Sequence, residues 1–208
     1  MMRKGYRLIA VFGMLLLGGI GSVNASLISN GAFDTDLSGW TISTTIATPS
    51  AGVTWIGGTA HIGRPGTPGD TVFSQEFDIP TGTTKLSISF DYEWQVSKPA
   101  NEDFFTVEFV YKSTALDITE LLLSEGSETG SFGTTLLISE MLSLTDINPV
   151  SPNGLIRFTL NENNTSNGTR IQLDNVTVSA VPEPAALALM GLGLAGIGYK
   201  RHCSKKAV

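Results

Sequence analysis

Residues 85–96 read KLSISFDYEWQV, and apolar and polar side chains alternate through them without a break. Leu86, Ile88, Phe90, Tyr92, Trp94 and Val96 fall on one face, and Ser87, Ser89, Asp91, Glu93 and Gln95 on the other. Successive side chains of an extended chain point to opposite sides, so this pattern gives a strand one dry face and one wet face. A helix would spread the same aromatics around its circumference. The stretch therefore predicts an antiparallel strand that covers a core on one side only. Residues 105–112 repeat the pattern, with Phe105, Val107, Phe109 and Tyr111 set against Thr106, Glu108, Val110 and Lys112. Residues 156–160 do so as well, and residues 170–179 supply a last strand whose apolar phase slips at Asp174-Asn175, which predicts a bulge. Residues 116–123 fit either a helical turn or a strand. Clusters of Gly, Pro, Asn and Ser separate these runs, so the chain is expected to be all-β, a sandwich or jelly roll of short strands.

The two ends follow different rules. Arg3, Lys4 and Arg7 precede an apolar run over residues 8–20, and Val23-Asn24-Ala25 closes it with small or compact residues. That is the three-part pattern of a secretory signal peptide, residues 1–25. At the other end, Val-Pro-Glu-Pro leads into fifteen uncharged residues, 185–199, and then Lys200, Arg201, Lys205 and Lys206. As a helix this run is about 22 Å long, against a hydrocarbon core of ~30 Å, which suits a temporary stop better than a permanent span. Residues 26–180 remain as one domain. With Glu183 included, the segment between the two apolar runs holds all 19 acidic residues but only six of the 13 lysines and arginines. An acidic domain with scattered bases is unsuited to nucleic acid, whose phosphates require clustered positive charge. The one cysteine, Cys203, lies in the basic tail, so the domain has no disulfide, no thiol nucleophile and no cysteine-bound zinc.

Two motifs carry a resemblance. LISNGAFDTDLSGWTIS (residues 27–43) resembles the opening of jelly-roll modules with the galactose-binding-domain-like fold, which include several carbohydrate-binding module families. LDNVTVS (residues 173–179) resembles their closing strand. Together the two frame nearly all of residues 27–179. The C-terminal segment resembles the PEP-CTERM sorting signal of Gram-negative bacteria that make exopolysaccharide. Pro182, Glu183 and Pro184 match its motif, the apolar run and basic tail complete it, and the charges stay cytoplasmic by the positive-inside rule. That resemblance implies export, transient insertion in the inner membrane, and processing by exosortase, an integral-membrane cysteine transpeptidase, at residues 181–208.

The module resemblance also implies a structural calcium joining the two ends of the domain, with Asp34 and Asp174 as carboxylate ligands; a hard cation takes six to eight oxygens. The plainer reading has Asp34 capping a turn and Asp174 bonding the bulge. Trp40, Tyr92 and Trp94 are expected in the core. Trp55, among glycines, is balanced between core packing and an exposed platform for a sugar ring. If the alternating strands share one sheet, Asp91, Glu93, Gln95, Glu108 and Arg157 project from one side and, with Trp55, are the glycan-binding candidates. The competing reading is a solvated face laced with ion pairs such as Glu108 with Arg157. Catalysis has little to work with: the domain holds one histidine, His61, and no Gly-x-Ser-x-Gly arrangement. The expectation is thus an exported, non-catalytic surface or matrix protein that binds exopolysaccharide or cell-surface glycan and contributes to biofilm structure. The alternatives are an adhesive protein with protein partners and no sugar affinity, and, less favoured, a glycan-active enzyme.

Overall fold

The structure is a computed structural model that describes residues 25–45, 52–63, 68–95, 103–127, 136–150, 152–163 and 169–181. The expected signal peptide, apart from Ala25, and the expected sorting helix 185–199 lie outside the described residues. Among the described residues ten strands follow in order: β1 Thr41–Thr44, β2 Val53–Ile56, β3 Thr59–Ile62, β4 Gly69–Phe77, β5 Lys85–Gln95, β6 Phe104–Lys112, β7 Asp117–Gly126, β8 Leu136–Ser143, β9 Gly154–Glu162 and β10 Arg170–Ala180. They form two antiparallel sheets, a front sheet in the order β1-β4-β9-β6-β7 and a back sheet in the order β2-β3-β10-β5-β8. The fold is an all-β two-sheet sandwich.

The alternation seen in the sequence is the alternation of burial. Leu86, Ile88, Phe90, Tyr92 and Trp94 of β5 face inward, as do Phe105, Val107, Phe109 and Tyr111 of β6 and Ile156, Phe158 and Leu160 of β9. Rings from the two sheets meet in the middle: Phe90 packs edge-on against Phe158 with centroids 5.3 Å apart, and Tyr92 meets Phe105 at 5.5 Å. Trp40 is buried and stacks on Phe73 at 4.5 Å, while its indole N–H donates to the Asn30 carbonyl at 3.1 Å. The ambiguous stretch after Leu116 is a strand, β7. The register of β10 against β5 shifts between Asp174 and Thr177, which is the bulge the phase slip predicts, and Asn175 takes a left-handed φ of 51° there.

One expectation is corrected. β5 does not share a sheet with β6 and β9. Asp91, Glu93 and Gln95 project from the back sheet, whereas Glu108 and Arg157 project from the front sheet. These five side chains stand on opposite faces of the sandwich and form no single cluster. Each alternating strand turns a dry face to the common core, so residues that share a parity share a sheet surface only when their strands are hydrogen-bonded neighbours.

The opening motif is tied down by a residue of β4. Gln75 is buried on the inward side; its Oε1 accepts from Ser29 N–H at 2.7 Å, and its Nε2 donates to the carbonyls of Ser29 (2.9 Å) and Gly39 (3.0 Å). The loop that places Phe33 and Trp40 in the core is thus held through its backbone.

Candidate functional site

On the outer face of the front sheet, cross-strand registers set three rungs side by side: Asp70–Asn161–Phe104, Val72–Thr159–Thr106 and Ser74–Arg157–Glu108. Phe104 opposes Gly126 of β7. A Cβ built on Gly126 would lie 3.5 Å from Phe104 Cε1 and 3.8 Å from Cδ1, ordinary van der Waals contact, so one edge of the phenyl ring borders the space the glycine leaves open. The ring is 41% exposed. Beside it the Asn161 side-chain amide donates to the Asp70 carboxylate. Four residues along β6, roughly 13 Å at ~3.3 Å per residue, Glu108 Oε2 accepts from Arg157 Nε at 2.9 Å and Nη2 at 2.7 Å. Both members of that pair remain partly exposed. The Glu108–Arg157 ion pair that the competing reading of a solvated face expects is therefore present, on the same face as an exposed aromatic. Its signal in the sequence is parity: Phe104 has the parity of Thr106 and Glu108 and immediately precedes the alternating run 105–112.

The back sheet presents a different surface. Asp91 lies opposite Asp174, and Glu93 opposite Gln172, which in turn lies opposite His61. A depression of about 180 Å³ is lined by Asp91, Glu93, Gln172, Asp174 and Asn175. Asn175 Nδ2 donates to Asp91 at 2.7 Å, and the Asn175 backbone N–H donates to Asp174 at 2.7 Å. Gln95 donates to Gln172. Burial raises the Asp174 pKa above the usual carboxylate value; the Asn175 N–H opposes this, and the charges of Asp91 and Asp34 add to the rise. The Asp91, Glu93 and Asp174 carboxylates in this lining offer the oxygen ligands that a hard cation takes. Among the described residues, however, no three His, Cys, Asp or Glu side chains come together as a chelating group.

Trp55 has the inward parity of the back sheet, opposite buried Ala60, and so stands on neither outer face. It sits on edge strand β2, 41% exposed, with its indole N–H donating to the Phe33 carbonyl. The two-residue turn beside it has Gly57 and Gly58 at φ 59° and 91°, as a tight primed hairpin requires. The indole is pinned to the opening loop.

His61 is 6% exposed. Thr59 Oγ1 donates to the Ile56 carbonyl at 2.8 Å, so it accepts from the imidazole, and His61 Nε2 carries the proton of that 2.9 Å bond. Burial, aided by the charge of Arg170, lowers the His61 pKa. Between the sheets, Glu125 Oε2 accepts from both Tyr92 Oη (2.8 Å) and Trp94 Nε1 (2.9 Å). Burial, this hydrogen bond and the carboxylate charge all push the Tyr92 phenol far up.

Comparison with known proteins adds two findings. Residues 180–201 match the PEP-CTERM protein-sorting motif. The sandwich is similar to the enzymatically active domain of tailspike protein 4 of bacteriophage CBA120, at 12% identity and a TM-score of 0.50, covering 75% of this chain and 21% of that one. It is also similar to the N-terminal cellulose-binding domain of β-1,4-glucanase C from Cellulomonas fimi, at 14% identity and a TM-score of 0.50, covering 77% of this chain and 100% of that one. The chain thus spans about a fifth of the tailspike structure and the whole of the binding domain. No curated protein matches it in sequence.

Proposed function

We propose that the chain is an exported, non-catalytic surface or matrix protein that binds glycan on the outer face of the front sheet and whose C-terminal sorting segment is processed by exosortase. The observation that carries the glycan reading is the exposed Phe104 beside Gly126, on the same sheet face as Asp70, Asn161, Arg157 and Glu108. A pyranose ring is recognised by an aromatic face beneath it and planar hydrogen-bonding side chains at its rim. Asn161 with Asp70, and Arg157 with Glu108, stand where such a rim would be, and their spacing suits a short oligosaccharide segment rather than one ring. Of the six residues first considered, Glu108 and Arg157 remain in this site; Asp91, Glu93 and Gln95 lie on the opposite face, and Trp55 lies at an edge. The sorting motif supports export to the cell surface, where exopolysaccharide is the available glycan.

The test is a glycan array followed by titration of the purified domain with the polysaccharides that bind. Phe104→Ala is expected to weaken binding by at least about tenfold, the loss of one stacking contact with its buried area. Glu93→Gln, on the back sheet, is expected to leave binding unchanged. Full binding by Phe104→Ala, or no binding to any glycan, sinks the reading. Turnover of a bound polysaccharide would favour the glycan-active alternative instead.

One observation favours the adhesive alternative. Edge strand β8 exposes Leu137 (68%) and Met141 (62%) on the same outward side, and capture of a protein partner that Leu137→Lys abolishes would support it.

We also propose that Asp34 and Asp174 hold a structural calcium. The ion would offset the charges that add to the rise at Asp174 and would cross-link the two ends of the domain. Chelation is expected to lower the melting temperature, and Asp174→Ala to remove that difference; identical melting curves with and without chelator would end the proposal.

A further inference from the structure

Both ends of the domain leave it at one pole. The opening segment runs antiparallel to the end of β10: Leu27 N–H donates to the Val178 carbonyl at 2.6 Å, and Val176 N–H to the Gly31 carbonyl at 2.9 Å. Ser26 Oγ accepts the Val178 N–H at 3.3 Å. Going back from Gly31 to Ser26 therefore moves along β10 toward its end. β10 stays in register with β5 up to Ala180, opposite Leu86. One residue later, Val181 N–H still donates to the Lys85 carbonyl at 2.9 Å. The sorting-motif match begins at residue 180. Its first two residues are thus rungs of the back sheet, and Pro182 follows the last rung directly.

There is no linker. Residues 182–184 reach at most about 10 Å fully extended, at ~3.3–3.6 Å per residue. Beyond them the chain is uncharged to residue 199 and then basic, which sets the motif at a membrane boundary. We propose that the pole formed by Ser26, Lys85 and Val181 docks against the membrane-embedded enzyme that processes the motif, and that the Val181 rung must open for the motif to enter it. A folded sandwich cannot follow the peptide into an active site. Reach beyond the three motif residues has to come from peeling β10 away from Lys85 and Leu86, and each step gives up a backbone hydrogen bond. The neighbouring loop is braced at the same place, since Leu144 N–H donates to the Thr84 carbonyl at 2.8 Å. The pole is therefore a formed surface, and the latch on β10 is its movable part.

The proposal rests on the processing reading of the motif, and the test separates the two. The full chain is expressed in cells that carry the processing enzyme, and loss of the C-terminal segment is followed by pulse labelling and intact mass. A flexible stretch of about six Gly and Ser residues inserted between Val181 and Pro182 is expected to speed that loss severalfold. The insertion lies past every rung of the sheet, so the fold is untouched. The same stretch placed between Gly57 and Gly58, where a built Cβ meets nothing within 4 Å, is expected to leave the rate as it was. An unchanged or slower rate with the first insertion overturns the latch. A wild-type chain that keeps its C-terminal segment overturns the processing reading itself.

Discussion

Gly31 sits in the Asn-Gly-x-Phe of the opening motif, and its φ is not in the left-handed region, so conformational freedom does not account for it. Space does. A Cβ at this position would lie 2.0 Å from the Val176 carbonyl oxygen and 3.0 Å from its carbon. Ordinary C···O approach is about 3.3 Å, so Gly31→Ala requires backbone to retreat from backbone by more than an ångström. The same retreat stretches the 2.9 Å bond from Val176 N–H to the Gly31 carbonyl beyond hydrogen-bonding range. Val176 is 2% exposed, so its N–H loses its partner where water cannot replace it. Overpacking costs roughly 1–3 kcal/mol, and an orphaned buried donor about 1–3 kcal/mol more. A total near 3–5 kcal/mol corresponds to a fall in melting temperature of roughly 6–20 °C for a domain of this length. Circular dichroism melts of the domain measure it; every described core residue lies between Ile28 and Val178, so residues 26–181 carry their own core. Gly82→Ala is the control, because its φ is 84° but a built Cβ there meets nothing within 4 Å. It isolates left-handed strain, about 1–2 kcal/mol. A Gly31→Ala protein that melts with the wild type, or above Gly82→Ala, refutes the steric argument.

Gln75→Leu keeps the volume but leaves the backbone groups of Ser29 and Gly39 without partners, and is expected to cost about 2–4 kcal/mol, read as a lower denaturation midpoint at an unchanged denaturant slope. Glu125→Gln removes the charge shared by Tyr92 and Trp94, so the Tyr92 phenol is expected to titrate at lower pH in near-ultraviolet absorbance than in the wild type; an unmoved titration means the carboxylate does not act on it. His61 has a folded pKa below its ordinary value of 6.5, so the unfolded chain takes up a proton that the folded one resists. Its contribution is fully present above about pH 6.5 and is lost as pH falls from there toward the folded pKa. His61→Gln is expected to flatten the decline in stability over that window, and an identical pH profile would contradict the assignment of His61 as buried and neutral.

The strands that were legible in the sequence are those with an unbroken run of apolar residues at successive inward positions. β5, β6 and β9 alternate cleanly, and β10 shows its bulge as a slip of phase. β4 is just as central, between β1 and β9, yet its inward series is Thr71, Phe73, Gln75, Phe77. Thr71 and Gln75 are 0% and 4% exposed, and Gln75 is there to hold the opening loop. A buried polar residue with a structural task erases the period-two signal that its strand would otherwise carry. β1, β2 and β3 are four residues each, too short for alternation to stand out.

Sheet membership was the harder matter, and it decided the site. Alternation tells which side of a strand is dry; it does not tell which sheet the strand joins. Neighbouring strands in a sequence usually neighbour one another in space, so pooling the wet faces of β5, β6 and β9 is the natural default. Here the chain crosses between sheets at almost every turn after β3: β4 is in front, β5 behind, β6 and β7 in front, β8 behind, β9 in front, β10 behind. The two most readable consecutive strands, β5 and β6, therefore stand back to back. Crossing separates Asp91, Glu93 and Gln95 from Glu108 and Arg157, and it also brings β9 beside β6, placing Arg157 against Glu108 and Asn161 against Phe104. The long-range pairing that broke up the expected cluster is what set the exposed Phe104 beside its polar neighbours.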